Sequence, residues 1–167
     1  MILAVDADYA TDSAWIAGVA FQAWPDAVAT ATYRTQVSPI EEYESGEFFK
    51  RELPCVLQLL DEFALTPDVI IIDGFVYLDG KTKPGMGAYL HQALDENVPV
   101  IGVAKRPFKG IDDRYSLLRG DSQNPIYVTS VGMPQSYARK AVEDMHGKYR
   151  IPTLLKLADQ VCRGHHE

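Results

Sequence analysis

A chain of 167 residues, 47% of them apolar and with no break in composition, is long enough to bury the core of one globular domain spanning residues 1–167. Its formal net charge of −7 argues against a protein that coats nucleic acid non-specifically, because such binding draws its affinity from Lys and Arg. A nuclease that handles phosphodiesters through bound cations needs only a local basic rim, and Lys105, Arg106, Lys109, Arg114 and Arg119 crowd one stretch.

Residues 2–7 and 13–22 are rich in Ile, Val, Ala, Phe and Trp around the turn sequence DYATDS, which predicts a β-hairpin. AVATATYRTQV alternates small or apolar with polar residues, as a third strand with one solvated face would. From Gly46 onward Phe49, Leu53, Val56, Leu57, Leu60 and Phe63 recur at helical spacing, with Pro54 either starting the regular helix or kinking it. DVIIID is a continuous apolar run between turn residues, the pattern of a strand buried on both faces, and belongs at the centre of a sheet. GAYLHQALDEN predicts a short helix and VPVIGVA another buried strand ending at Lys105. YSLLRGD and PIYVTSVG predict two further strands, and PQSYARKAVEDM and IPTLLKLADQVC close the chain as helices. Three antiparallel strands followed by strand–helix alternation give an α/β mixed sheet, with parallel strands after the first three and helices flanking it, the ribonuclease H-like layout.

Cys55 and Cys162 have neither zinc-site spacing nor a disulfide framework and are expected to be buried free thiols in apolar helical surroundings. No charged segment followed by an apolar one marks a signal peptide, and no apolar run approaches spanning length, so a cytoplasmic protein without membrane contact is expected.

Chemistry is carried by acids placed at the ends of strand-like runs. Asp6 closes ILAVD, Asp73 closes DVIIID, and Glu52 stands between them in FFKRELP. Taken singly, each is a turn former, a helix cap or a solvated first-turn residue. Converging carboxylates, however, repel one another and resist leaving water, and are tolerated mainly where a hard cation such as Mg2+ or Mn2+ holds them together. Asp79 sits in DGK, a good turn sequence, and is expected to be a turn residue. His91, His146, His165 and His166 lack ligand spacing to one another.

Several segments in order resemble endonuclease V: DADY at 6–9, Tyr43 followed by ESGEFFKRELP, IIDG at 71–74 and IGVAK at 101–105. Tyr43, Gly46, Arg51 and Glu52 fit the family's Y-x-x-G-x-x-x-x-R-E arrangement residue by residue. The resemblance implies that Asp6, Glu52 and Asp73 bind the catalytic metal and that Lys105 lies near the scissile phosphate. It implies that Tyr43 is the residue wedged beside a damaged base, with Tyr9, Gly46 and Gly74 in the substrate-binding surface. It further implies cleavage of DNA or RNA beside deoxyinosine or inosine, leaving 5′-phosphate and 3′-hydroxyl ends; a monomer is expected.

Two departures stand out. The family's H-P-R segment is replaced by Asp79, Gly80 and Lys81, and Asp159 occupies the place of a histidine near the C-terminal helix. A carboxylate there can itself serve the metal site, which places Asp159 among the expected catalytic residues. The chain also begins almost at its first catalytic strand, which is expected to make it an N-terminally short member. Two other functions remain open at this point: a relative that binds nucleic acid or a protein partner without cutting, and a phosphodiesterase acting on another nucleic-acid structure.

Overall fold

The computed structural model describes residues 1–38 and 49–165. A seven-stranded sheet is built from β1 (Ile2–Tyr9), β2 (Ala14–Phe21), β3 (Ala31–Val37), β4 (Val69–Asp73), β5 (Val100–Ala104), β6 (Ser116–Leu117) and β7 (Ile126–Val131), in the order β3-β2-β1-β4-β5-β7-β6. The first three strands form an antiparallel meander, β1, β4 and β5 run parallel, and β7 returns antiparallel to β5. DVIIID occupies the middle of the sheet as its apolar run requires, with Ile70, Ile71 and Ile72 all buried.

Alternation along the strands sorts their side chains onto two faces. Leu3, Val5, Ile70 and Ile72 pack under α1 (Phe49–Glu62) and α2 (Met86–Ala93) through Val56, Leu59 and Leu90. Ala4, Ile71, Ile101 and Val128 face the opposite way, against Val142 of α3 (Gln135–Asp144) and Leu154, Ala158 and Val161 of α4 (Thr153–Cys162). The helices therefore divide two and two across the sheet.

Four details differ from the sequence expectation. The first strand does not stop at residue 7 but continues to Tyr9, because β2 pairs with it as far as Tyr9↔Ala14. Its partner on the other side leaves sooner: pairing with β4 ends at Ala4↔Ile71, so Asp6 lies where the sheet forks. The third strand begins only at Ala31, and the strand expected in YSLLRGD is reduced to the two residues of β6, preceded by a single 3-10 turn at Asp113–Tyr115. Of the two expected roles for Pro54 the start of the helix is excluded, since it lies inside α1, exposed. The Cys55 thiol donates to the Arg51 carbonyl at 3.2 Å in the same turn. Both cysteines are free and buried, as expected.

Arg119 also departs from expectation, since it is no part of a basic rim. It is only 4% exposed, and its guanidinium donates to the carbonyls of Met145 (2.6 Å), Gly147 (3.1 Å) and Tyr149 (2.6 Å), gathering the loop between α3 and α4. Arg119→Met is expected to cost about 3 kcal/mol or more, because three carbonyls lose a charged donor in a desolvated place; urea denaturation measures it. His91 is a core histidine that meets the Val98 carbonyl at 2.9 Å, and Asp79 closes its turn by accepting from the amides of Lys81, Thr82 and Lys83. Those hydrogen bonds hold the Asp79 carboxyl well below its usual range.

Candidate metal and nucleic-acid site

β1 and β4 run parallel, and Asp6 and Asp73, each two residues beyond their last pair Ala4↔Ile71, line the same two cavities, where the Asp73 charge raises the cost of ionising Asp6. Next along the sheet, Asp73 pairs with Val103, and two residues further the chain reaches Lys105, whose Nζ lies 3.6 Å from Asp73 Oδ2. Three adjacent parallel strands thus deliver two acids and a cation to one end of the sheet. This is where backbone amides and side chains of an open parallel sheet become free to meet a ligand.

Beyond Asp73 the chain must turn sharply back over β5. Gly74 takes φ +143, a left-handed value that favours glycine, and a side chain at Gly102 would stand 2.5 Å from the Gly74 carbonyl. The buried Thr129 hydroxyl then accepts from the Val76 amide at 2.9 Å and fixes the turn from below. Gly102 and Thr129 thus set the path of the loop following Asp73.

Asp6 is 8% exposed and accepts one hydrogen bond, from the Ala7 amide at 2.9 Å. Burial, followed by the charges of Asp73 and Asp159, pushes its carboxyl up to about 7, against the smaller pull of the Ala7 amide and Lys105. Glu52 approaches from the first described turn of α1, on the other side of the sheet. Burial, followed by Asp6 and Asp73, pushes it up to about 8. Asp159 approaches from α4, with Arg163 Nε donating to its carboxylate at 2.9 Å and Arg163 also 3.9 Å from Asp8.

Two cavities back onto this group, and both are lined by Asp6 and Asp73. One, of about 480 Å3, adds Glu52, Tyr9, Gly74, Phe75, Arg106 and Phe108. Its wall is stiffened by Arg51, whose guanidinium lies 4.2 Å from the centre of the Tyr9 ring, and by Lys83, 5.0 Å from that of Phe108. The other, of about 310 Å3, adds Lys105, Tyr149, Arg150, Lys156 and Asp159. Of the residues expected in the site, Asp6, Asp73, Glu52, Lys105, Asp159, Tyr9 and Gly74 therefore lie around the two cavities. Tyr43 and Gly46 lie outside the described residues.

Two participants were missed. Cys162 Sγ, Asp6 and Asp159 offer ligand atoms within 4.8 Å of one another, so this thiol has acidic neighbours where apolar surroundings were expected. Burial, then Asp6 and Asp159, push it up to about 12. Its position three residues after Asp159 on a helix was the available signal. Arg150 donates to the carbonyl of Lys105 and to that of Pro125 (3.0 Å), tying the backbone beneath Lys105 to the α3–α4 loop; no local pattern announced that contact.

The donor set fits a hard divalent cation. Asp6 and Glu52 are raised in part by the negative charge of neighbouring carboxylates, and a cation among them would relieve that repulsion with oxygen ligands of the type Mg2+ and Mn2+ prefer. The thiol is the one soft donor within the compact group.

Residues 1–118 match the profile of the family Endonuclease V. An endonuclease V of Streptomyces avermitilis is 32% identical over 160 residues, covering 83% of this chain and 67% of its own. The crystal structure of an endonuclease V from the same organism superposes with a TM-score of 0.79 at 24% identity, over 98% of this chain and 79% of that one. Endonuclease V of Ciona intestinalis, solved in complex with a DNA containing an inosine followed by a ribo-adenosine, gives 0.78 at 21% identity, over 98% and 84%. The mixed sheet with two helices on each face is the ribonuclease H-like fold that these structures share. With a family match over most of its length and a relative at 32% identity, the chain belongs to the endonuclease V family of nucleases.

Proposed function

We propose that this protein is a metal-dependent endonuclease that hydrolyses a phosphodiester near deoxyinosine or inosine in DNA or RNA, leaving 5′-phosphate and 3′-hydroxyl ends. The observation that carries the reading is the convergence of Asp6 and Asp73 from adjacent strands with Glu52 and Asp159 from opposite helix layers, around cavities that share the first two. The inosine-containing DNA bound by the Ciona protein supports the choice of substrate.

In this reading Asp6, Glu52 and Asp73 hold Mg2+ or Mn2+, with Asp159 as a fourth acid in place of a histidine. When bound, the ion supplies Lewis acidity at the phosphate and a water of lowered pKa. Asp73 has a second task, orienting the Lys105 ammonium 3.6 Å away. That ammonium faces the charge developing on the scissile phosphate group. The larger cavity, with Tyr9, Phe75 and Phe108 around it, suits a base drawn out of its stack, and Gly74 leaves backbone open to that base's hydrogen-bonding edge. Tyr43 and Gly46 are assigned to the wedge beside it. We take residues 1–167 as one domain, acting as a monomer in the cytoplasm; no helix among the described residues is long and apolar enough to cross a membrane.

The test is cleavage of single- and double-stranded DNA and RNA, each with and without one inosine, in Mg2+ and in Mn2+. Inosine-dependent nicking is expected; no nicking of any substrate would move the weight to a binding protein. Lys105→Ala is expected to lower kcat about 100-fold with a much smaller change in KM, since the interaction it removes strengthens in the transition state; steady-state kinetics on the inosine strand separates the two.

A further inference from the structure

We propose that the smaller cavity is a nucleotide subsite for the substrate strand across the cut from the recognised base, and that Tyr149 is the platform on which that nucleotide's base stacks. The inference rests on the endonuclease reading above and adds where the strand goes after it passes the carboxylates.

Asp6 and Asp73 form a wall common to both cavities, so a phosphodiester lying over them has one flanking nucleotide on each side. If the larger cavity takes the recognised base, the strand has to leave over the smaller. That surface carries the complementary chemistry. Lys105 and Lys156 line it, and Lys148 adds a third ammonium 5.7 Å from the centre of the Tyr149 ring. Asp6, Asp73 and Asp159 line the cavity too, so on a chain of net charge −7 the phosphate contacts fall to these ammonium groups and not to the cavity as a whole.

Tyr149 is 69% exposed, a large aromatic held in water at the cavity mouth. Its backbone is fixed, because buried Arg119 binds the Tyr149 carbonyl together with those of Met145 and Gly147, and the next residue, Arg150, is tied to Lys105 and Pro125. A ring that packs on little of its own protein yet stands on an anchored loop beside ammonium groups is the arrangement used to stack a base without reading its identity. Arg150 spends its guanidinium on carbonyls and is a positioning residue, leaving the lysines to face phosphates.

The test measures binding in Ca2+ and cleavage in Mg2+ for single-stranded oligonucleotides with one inosine, intact or with an abasic residue placed in turn at each position flanking the cut, and for plain strands. Wild type is expected to lose about 10-fold in affinity when the base across the cut is absent, and Tyr149→Ala to lose as much on the intact strand and nothing further on the abasic one. Tyr149→Phe should bind like wild type, and the Tyr149→Ala loss should appear in KM with kcat nearly unchanged. Tyr149→Ala binding the intact strand as wild type does, or remaining as sensitive to the abasic position, would overturn the subsite. If wild type cuts no inosine strand but its binding keeps this Tyr149 dependence, the endonuclease reading fails and the subsite stands.

Discussion

Asp73→Asn is expected to lower cleavage of an inosine-containing strand by at least about 1,000-fold while leaving the protein folded. Asp73 is exposed at the end of β4, below the buried Ile70–Ile72 run, so the amide replaces the carboxylate without disturbing the core. What is lost is a negative oxygen beside Asp6 and the ion pair with Lys105 at once. The ammonium, freed from its partner, is no longer held toward the phosphate. Losing a ligand charge and a positioned cation together exceeds the 100- to 1,000-fold typical of removing a single transition-state contact. Circular dichroism and urea denaturation establish folding, and single-turnover nicking in Mg2+ measures the loss. Cleavage at the wild-type rate would overturn the assigned site.

Asp6 and Glu52 make stability depend on pH in a direction opposite to most acidic residues. Their folded carboxyls sit at about 7 and about 8, above the ordinary values of 3.8 and 4.5. Between about pH 4 and pH 8 the folded chain therefore binds more protons than the unfolded one, and stability falls as pH rises through that window. Moving one such carboxyl from 3.8 to about 7 corresponds to roughly 4 kcal/mol. The two acids share their mutual repulsion, so the total is less than twice that. With each kcal/mol worth about 2–4 °C in a domain of this size, metal-free protein should melt clearly lower at pH 8.5 than at pH 5.5. Mg2+ or Mn2+ should restore much of the loss at pH 8.5 and little at pH 5.5, where protons compete for the same oxygens. Asp6→Asn, which keeps the Ala7 hydrogen bond and loses the buried charge, should flatten the profile and raise the melting temperature at pH 8.5 without metal. A thermal-shift series over pH, with and without Mn2+, reads all three outcomes.

What could be read from the sequence follows how local its cause is. DVIIID declared itself because burial on both faces demands an unbroken apolar run, and the two closing helices because one apolar face repeats at helical spacing. The fork at Asp6 could not be read, since it arises from β4 and β2 releasing β1 at different points, a property of pairing and not of ILAVDADY. Arg119 and Arg114 are equally basic in sequence; only the folded loop distinguishes the arginine that caps carbonyls inside from the one left exposed. The acids of the candidate site stood out through their shared motif context, and the fold places them around two cavities. The smaller cavity, by contrast, brings Lys105 beside residues some 45 positions later through the Arg150 contact, a proximity that no spacing rule encodes.

The division of the helices two and two has a consequence for a strand-cutting enzyme. Asp6 and Asp73 lie on the sheet, Glu52 on a helix of one layer and Asp159 on a helix of the other. No hairpin, single layer or half-formed sandwich holds all four at once. In the proposed mechanism a chain that has docked only one helix layer lacks part of the acid set, so nicking requires the complete sandwich.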